Sequence, residues 1–128
     1  NVEGGFRAKG RDEAERQRVI EEARATDQAG AFAIVVEGVT EALGAEITRA
    51  VNAVTIGIGA GVSCDGQILV TDDLLGMFDW TPKFVRRYAD MRSVITDAVS
   101  AYAADVRSKT FPDERETYSF GKTANRPE

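Results

Sequence analysis

The sequence predicts an α/β fold with parallel strands, incomplete as given. Three observations predict it. Helix-patterned and strand-patterned stretches alternate along the 128 residues, an order that implies right-handed crossovers between parallel strands. Only three strand stretches emerge, one of them very short, and three strands do not cover both faces and both edges of a stable sheet. The stretch 54–70, VTIGIGAGVSCDGQILV, joins an apolar β-branched run to Gly57, Gly59 and Gly61. A polar turn over Ser63, Cys64, Asp65 and Gly66 then leads to a second apolar run, Ile68 to Val70. Short apolar runs bounded by turn residues suit strands buried on both faces, with a buried helix segment as the alternative. Clustered glycines at a strand end mark a backbone that turns tightly or lies close to something else.

Asn1 to Arg11 reads as a glycine-rich loop carrying Arg7, Lys9 and Arg11. It is either a contact for an anionic ligand or a solvated connection. Asp12 to Ala29 reads as a helix. Opposite charges stand at helical spacing, Asp12 with Arg16, Arg18 with Glu22 and Glu21 with Arg24. Its apolar stripe is thin (Ala14, Val19, Ile20, Ala23), as in a surface helix docked by small residues, and Gly30 stands where a left-handed C-terminal residue belongs. Ala31 to Val36 is a continuous apolar run and is expected to be a fully buried strand, followed at once by Glu37 and Gly38. Thr40 is placed to cap a helix to about Val51, with Glu41 favourable to the helix dipole and Leu43, Ile47, Ala50 and Val51 on one face. Strands are expected near Val54–Ile58 and Gln67–Val70. Thr81-Pro82 reads as the start of a helix, whose stripe runs Phe84, Tyr88, Met91, Ile95, Ala98, Tyr102 and Val106, with a possible break over Asp90 to Ser93. That stripe reads as core or subunit interface. Phe111-Pro112 ends it, which divides the chain into a layered part over 1–110 and a polar tail over 111–128.

Composition and charge exclude several classes. Hydrophobic residues at 43% and charged residues at 29% describe a globular chain, not a disordered one. A net charge of −5 argues against a general binder of nucleic acid or of anionic membranes. No run is long enough to span a bilayer, and the first six residues lack the basic and apolar parts of a secretory signal. Cys64 is the one cysteine, so it has no internal disulfide partner; it reads as a small packing residue in a chain of a reducing compartment. The chain has no histidine, which removes a Ser-His-Asp triad, a Cys-His pair and any His-ligated zinc supplied by this chain alone.

Carboxylates, lysine, tyrosine and backbone amides remain as catalytic groups, and Glu37 stands out. An unpaired charge at the end of a buried strand is costly. Either Glu37 turns outward or pairs with a cation, or it is a partly buried base. In parallel α/β folds, sites lie at the C-terminal ends of the strands. Glu37, the Gly57–Gly61 loop and Thr71-Asp72-Asp73 all fall at that end, a convergence that favours the functional reading.

With these residues laid out, the chain resembles the ketopantoate hydroxymethyltransferase family. The matching stretches run in family order over about 120 residues: 4–11, GGFRAKGR; 29–31, AGA; 35–39, VVEGV; 56–61, IGIGAG; 65–70, DGQILV, with Asp73; 82–84, PKF; Phe111-Pro112; and Ser119-Phe120. The glycine run alone is a weak signal; combined with DGQILV beginning four residues after Gly61 and with the preceding strand-end Glu, it is specific. The resemblance implies the C-terminal part of a (β/α)8 TIM-type barrel. A whole barrel needs about 250 residues, so the chain is expected to be the back part of something larger, and it starts in a loop.

The activity implied is transfer of a one-carbon unit from 5,10-methylenetetrahydrofolate to 3-methyl-2-oxobutanoate, giving 2-dehydropantoate for pantothenate and coenzyme A synthesis. Glu37 would be the general base, Gly57, Gly59 and Gly61 a wall of the site, and Mg²⁺ the Lewis acid. The family's metal ligands and substrate contacts lie on earlier strands, so no metal ligand is expected here, and the isolated chain is expected to be inactive. The implied partners are the 2-oxo acid, the N-terminal half of the barrel or a second copy, and further copies in a ring-like oligomer in the cytoplasm; neither nucleic acid nor membrane is expected. Two departures stand out: Asp72-Asp73 where relatives often carry His-Asp, and Tyr118-Ser119-Phe120 where they carry His-Ser-Phe. The alternatives are a non-catalytic half-barrel that assembles with partners, or a fragment of an unrelated phosphate-binding barrel using Gly59–Gly61.

Overall fold

The computed structural model describes residues 8–118. Gly4, Gly5, Phe6 and Arg7 of the expected N-terminal loop, and Ser119 and Phe120 of the tail, lie outside the described residues. Two compact units meet in sequence at Ala89 and Asp90.

The first unit holds a three-stranded parallel sheet, β1 (Ala33–Glu37), β2 (Val54–Ile58) and β3 (Gly66–Gln67), in that spatial order, with helices α1 (Glu13–Gln28), α2 (Glu41–Ala50) and α3 (Thr71–Leu75). The parallel α/β arrangement expected from the sequence is therefore present. Asp12 starts α1 by accepting the Glu15 amide at 2.8 Å, while the Glu15 carboxylate accepts the Gly10 amide at 2.8 Å. This is the reciprocal logic of a capping box. With Asp12 so used, Arg16 pairs with Glu13 on its own helix and with both oxygens of Glu46 on α2. Arg18 and Glu22 stand 3.8 Å apart, as their spacing predicts. Thr40 caps α2 through the Leu43 amide.

Both helices lie on one face of the sheet. Ile20 and Ala23 of α1, Leu43 and Ile47 of α2, Val36 of β1, and Ala60 and Cys64 of the following loop make the core. Leu43 and Ile47 are fully buried, each contributing about 1.5–3 kcal/mol of apolar burial. Lys9 extends the sheet edge beyond β1 by a bridge to Val39, donating to Gly38 O and accepting from Thr40 N.

The sequence reading needs three corrections here. The run expected as a fully buried strand begins two residues later, at Ala33, and only its helix-facing side is covered. Side chains alternate across a strand, so Ile34 and Val36 meet the helices, while Val35 is 56% exposed; Phe32, which precedes the strand, is 91% exposed. Continuous apolarity signals two faces meant for burial, and within the first unit α1 and α2 cover one of them. The expected strand Gln67–Val70 is reduced to Gly66–Gln67, because only Ile56 and Gly57 remain as partners in register before α3 begins at Thr71, an element the sequence reading missed. The third correction concerns Thr81-Pro82, which starts no helix. Residues 76–90 are turns and extended chain, with Gly76 closing α3 in a left-handed conformation and the Tyr88 amide returning to Leu74 O.

The second unit is α4 (Met91–Ser108) and the chain that follows it. Asp90 caps it by accepting from the Ser93 amide and hydroxyl, and Lys109 ends it in the left-handed conformation. Ile95, Val99, Tyr102 and Val106 remain exposed along it, and Tyr102 meets the Phe111 ring edge-on at 5.4 Å.

Candidate functional site

Parallel pairing brings the C-terminal ends of β1 and β2 together. Glu37 is in register with Ile58, as Val35 is with Ile56, and side chains in register on neighbouring parallel strands share a face. Glu37 therefore stands on the face turned away from α1 and α2. It enters a cleft of about 450 Å³ with Ile58, Val70, Asp73, Phe78, Trp80, Pro82 and Phe84, a size typical of small-molecule sites. β1 and β2 contribute Glu37 and Ile58, α3 contributes Asp73, and the irregular chain after α3 contributes the three aromatic rings and the proline.

The Glu37 carboxylate is solvent-exposed, and among the described residues no cation pairs with it. It turns outward, and what it turns into is this cleft. Asp73 is half-buried in the same cleft.

The three glycines have separate surroundings, and none of them lines the cleft. Gly57 backs onto Cys64 Sγ and the Gln67 amide, where a Cβ would lie 3.0–3.1 Å from both side chains. Gly61 faces the Glu41 stem, and its carbonyl accepts the Gln67 Nε2 at 2.8 Å. Gly59 has φ +64°, and a Cβ there would sit 2.8 Å from the Phe84 ring. It reaches the cleft indirectly, by giving Phe84 its resting place. The space above the glycines is filled by protein.

The DGQ turn has a structural task. Asp65 accepts the Thr55 amide at 2.8 Å and the Thr55 hydroxyl at 3.0 Å, and Thr55 Oγ1 also accepts the Asp65 amide and meets Thr48 Oγ1 at 2.9 Å. Thr55 is fully buried, so these bonds satisfy a polar group that would otherwise be costly inside. The Thr55 amide and hydroxyl hold the Asp65 carboxyl below the usual range. Asp27 fastens the lead-in to β2, accepting from the Asn52 amide, the Ala53 amide and the Asn52 side chain, contacts that lower its pKa too.

Sequence reasoning placed Asp73 at the correct end of the sheet without assigning it a role, and it missed Phe78 and Trp80. A signal was present: two large aromatic residues flank Asp79 in a stretch bounded by Gly76 and Pro82, where no core periodicity accounts for them. The apparent helix start at Thr81 drew Phe84 into a helical stripe instead. No group of three Asp, Glu, Cys or His side chains suited to a metal ion exists among the described residues, so a family Mg²⁺ does not fit the residues described here. No described helix is long and apolar enough to cross a membrane.

A parallel sheet with a cleft at the C-terminal ends of its strands is the arrangement in which α/β enzymes place their sites. The sequence profile of ketopantoate hydroxymethyltransferase matches residues 1–114, and the chain belongs to that family. It is 66% identical over 122 residues to the 3-methyl-2-oxobutanoate hydroxymethyltransferase of Hyphomonas neptunium, covering 95% of this chain and 44% of the relative. The enzyme of that name from Phenylobacterium zucineum is 65% identical over 117 residues (91% and 42%), and that from Rhodospirillum rubrum is 57% identical over 120 (93% and 43%). The chain thus spans less than half the length of the curated relatives it matches.

Proposed function

We propose that this chain is the C-terminal part of a (β/α)8 barrel that transfers a hydroxymethyl group from 5,10-methylenetetrahydrofolate to 3-methyl-2-oxobutanoate, with Glu37 as general base. The observation that carries the proposal is the Glu37 carboxylate, with no cation paired to it among the described residues, in a cleft at the strand ends on the face turned away from α1 and α2. The names of the relatives supply the acceptor and the group transferred.

A carboxylate with no cation paired to it among the described residues can take a proton from C3 of the oxo acid. The electron pair left on carbon forms the new C–C bond to the one-carbon unit, whose bonds to nitrogen break, water supplying the hydroxyl oxygen and tetrahydrofolate leaving. Methylenetetrahydrofolate supplies the one-carbon unit when bound, and an apolar, aromatic-walled cleft of this size suits a flat co-substrate. Ile58, Val70 and Pro82 give the carboxylate an apolar flank in the cleft. No step is derived through Mg²⁺, whose family ligands belong to the part of the barrel this chain lacks.

That missing half is the partner this reading requires. Val35 and Val54, 56% and 51% exposed, sit in register on the uncovered face with Ala33 and Ile56, and a barrel interior would enclose them. The working form is then a cytoplasmic oligomer of completed barrels. The test is transfer activity with Mg²⁺, measured for the chain alone and for the chain mixed with the N-terminal half of the Hyphomonas neptunium relative. Activity only in the mixture is expected. Turnover by the chain alone would overturn the need for a partner, and none in a folded mixture would overturn the assignment.

A further inference from the structure

The chain leaves Glu37 through a turn that breaks the alternation of its strand. Strict alternation would place Val39 on the same face as Glu37, yet Val39 is buried with Val36 in the core beneath α1 and α2. Gly38 makes the difference. At φ +62° it lies in the left-handed region, which turns Val39 back to the helix side and leaves Glu37 pointing the other way. Both neighbouring segments hold this turn. The Gly38 amide donates to Ile58 O on β2 at 2.9 Å, and the Gly38 carbonyl accepts the Lys9 amide at 2.8 Å. Lys9 O in turn accepts the Thr40 amide at 2.9 Å, so Lys9 braces the chain on both sides of Val39.

A general base works only within hydrogen-bonding reach of the proton it removes, and a displacement of about 1 Å can cost about a hundredfold in rate. Among the described residues no ion pair steers the Glu37 carboxylate, so its aim is set by the backbone that carries it. We infer that Gly38 is the positioning residue of the base: its left-handed turn, braced by Lys9 and Ile58, sets where the Glu37 carboxylate stands for the C3 proton of the oxo acid. The inference rests on the proposed function, because that reading is what makes Glu37 the base.

A Cβ at Gly38 would meet no described atom within 4 Å, and the same holds at Gly30, whose φ is +90°. Gly30 stands ahead of β1, at the opposite end of the strand from Glu37. The two glycines form a matched pair: alanine strains the backbone at each, but only Gly38 adjoins the base. Each variant is joined to the complementary half, and exchange of the C3 proton in D₂O with Mg²⁺ is measured per folded molecule, beside the urea midpoint. Both Gly30→Ala and Gly38→Ala should lower the midpoint. Exchange should fall by about tenfold or more in Gly38→Ala and stay at the parent rate in Gly30→Ala. Gly38→Asn should recover most of the loss, because asparagine, although larger than alanine, tolerates the left-handed region. Parent-rate exchange in Gly38→Ala, an equal loss in Gly30→Ala, or no recovery with Gly38→Asn would each overturn the positioning role and leave the base standing. Exchange that survives Glu37→Gln, or none at all by the folded parent mixture, would instead sink the base and the positioning role with it.

Discussion

The two faces of one small sheet differ sharply. On the helix side Leu43, Ile47 and Thr55 are sealed from solvent, and the buried Thr55 hydroxyl is matched by Asp65 and Thr48. On the other side, residues one position away along the same strands, Val35, Glu37 and Val54, stand in water. Stability belongs to the first face and, on the reading proposed here, chemistry to the second. The comparison teaches that an apolar strand is no proof of a closed core within one chain: β1 carries the sequence of a strand buried twice and the cover for one face.

The widest separation of the two faces should come from Glu37→Gln. Turnover of the reconstituted enzyme is expected to fall by about 10²–10⁴-fold, the usual contribution of a general base. The urea midpoint of the chain should not move, since the side chain is exposed and no described cation pairs with it. A large loss of stability would mean that the two faces are not independent. The converse variant is Leu43→Ala, which should lower stability by about 2–5 kcal/mol in urea denaturation and leave turnover per folded molecule near that of the parent. Gly59→Ala touches both sides. A side chain at φ +64° costs roughly 1–2 kcal/mol, and the added methyl displaces Phe84, so both stability and cleft occupancy should drop.

The smallest effect concerns pH and the helix side alone. Asp65 and Asp27 have folded pKa values below their unfolded ones, chiefly through the amides of Thr55 and of Asn52. Their contribution is complete above the unfolded carboxylate value of about 3.9 and is lost as pH falls through the lower folded values. The urea midpoint should therefore be flat from about pH 7 to 5 and fall below about pH 4. The double variant with Asp65→Asn and Asp27→Asn should start lower and fall less steeply. An unchanged acid slope would show that these clamps do not set it.

How much of this was legible in the residues follows from the range of each interaction. The cap at Thr40, the α2 stripe of Leu43 and Ile47, and β2 were readable because local spacing decides them, whereas Asp12, read as an ion-pair partner of Arg16, is the cap of α1. The strand-end position of Glu37 was readable for the same reason as that cap at Thr40. The exposed side of β1 was not, because burial depends on what packs from elsewhere. β3 shrank because its partner residues run out, which no local pattern shows. Thr81-Pro82 carries the signature of a helix start, but the chain there is held by the returns of Tyr88 to Leu74 and of Arg87 to Asp79 O. These long-range bonds override the local preference and place Phe84 in the cleft.

The role of Glu37 can be isolated from folate and from the one-carbon unit altogether. A base at this position must exchange the C3 proton of 3-methyl-2-oxobutanoate with solvent, which proton NMR follows in D₂O with Mg²⁺ and the chain joined by its complementary half. Rapid loss of the C3 signal with the parent chain, and a loss slowed at least a hundredfold with Glu37→Gln, of the order expected for removing a general base, is the predicted result. Exchange at the parent rate in the Glu37→Gln protein would contradict the assignment of the base.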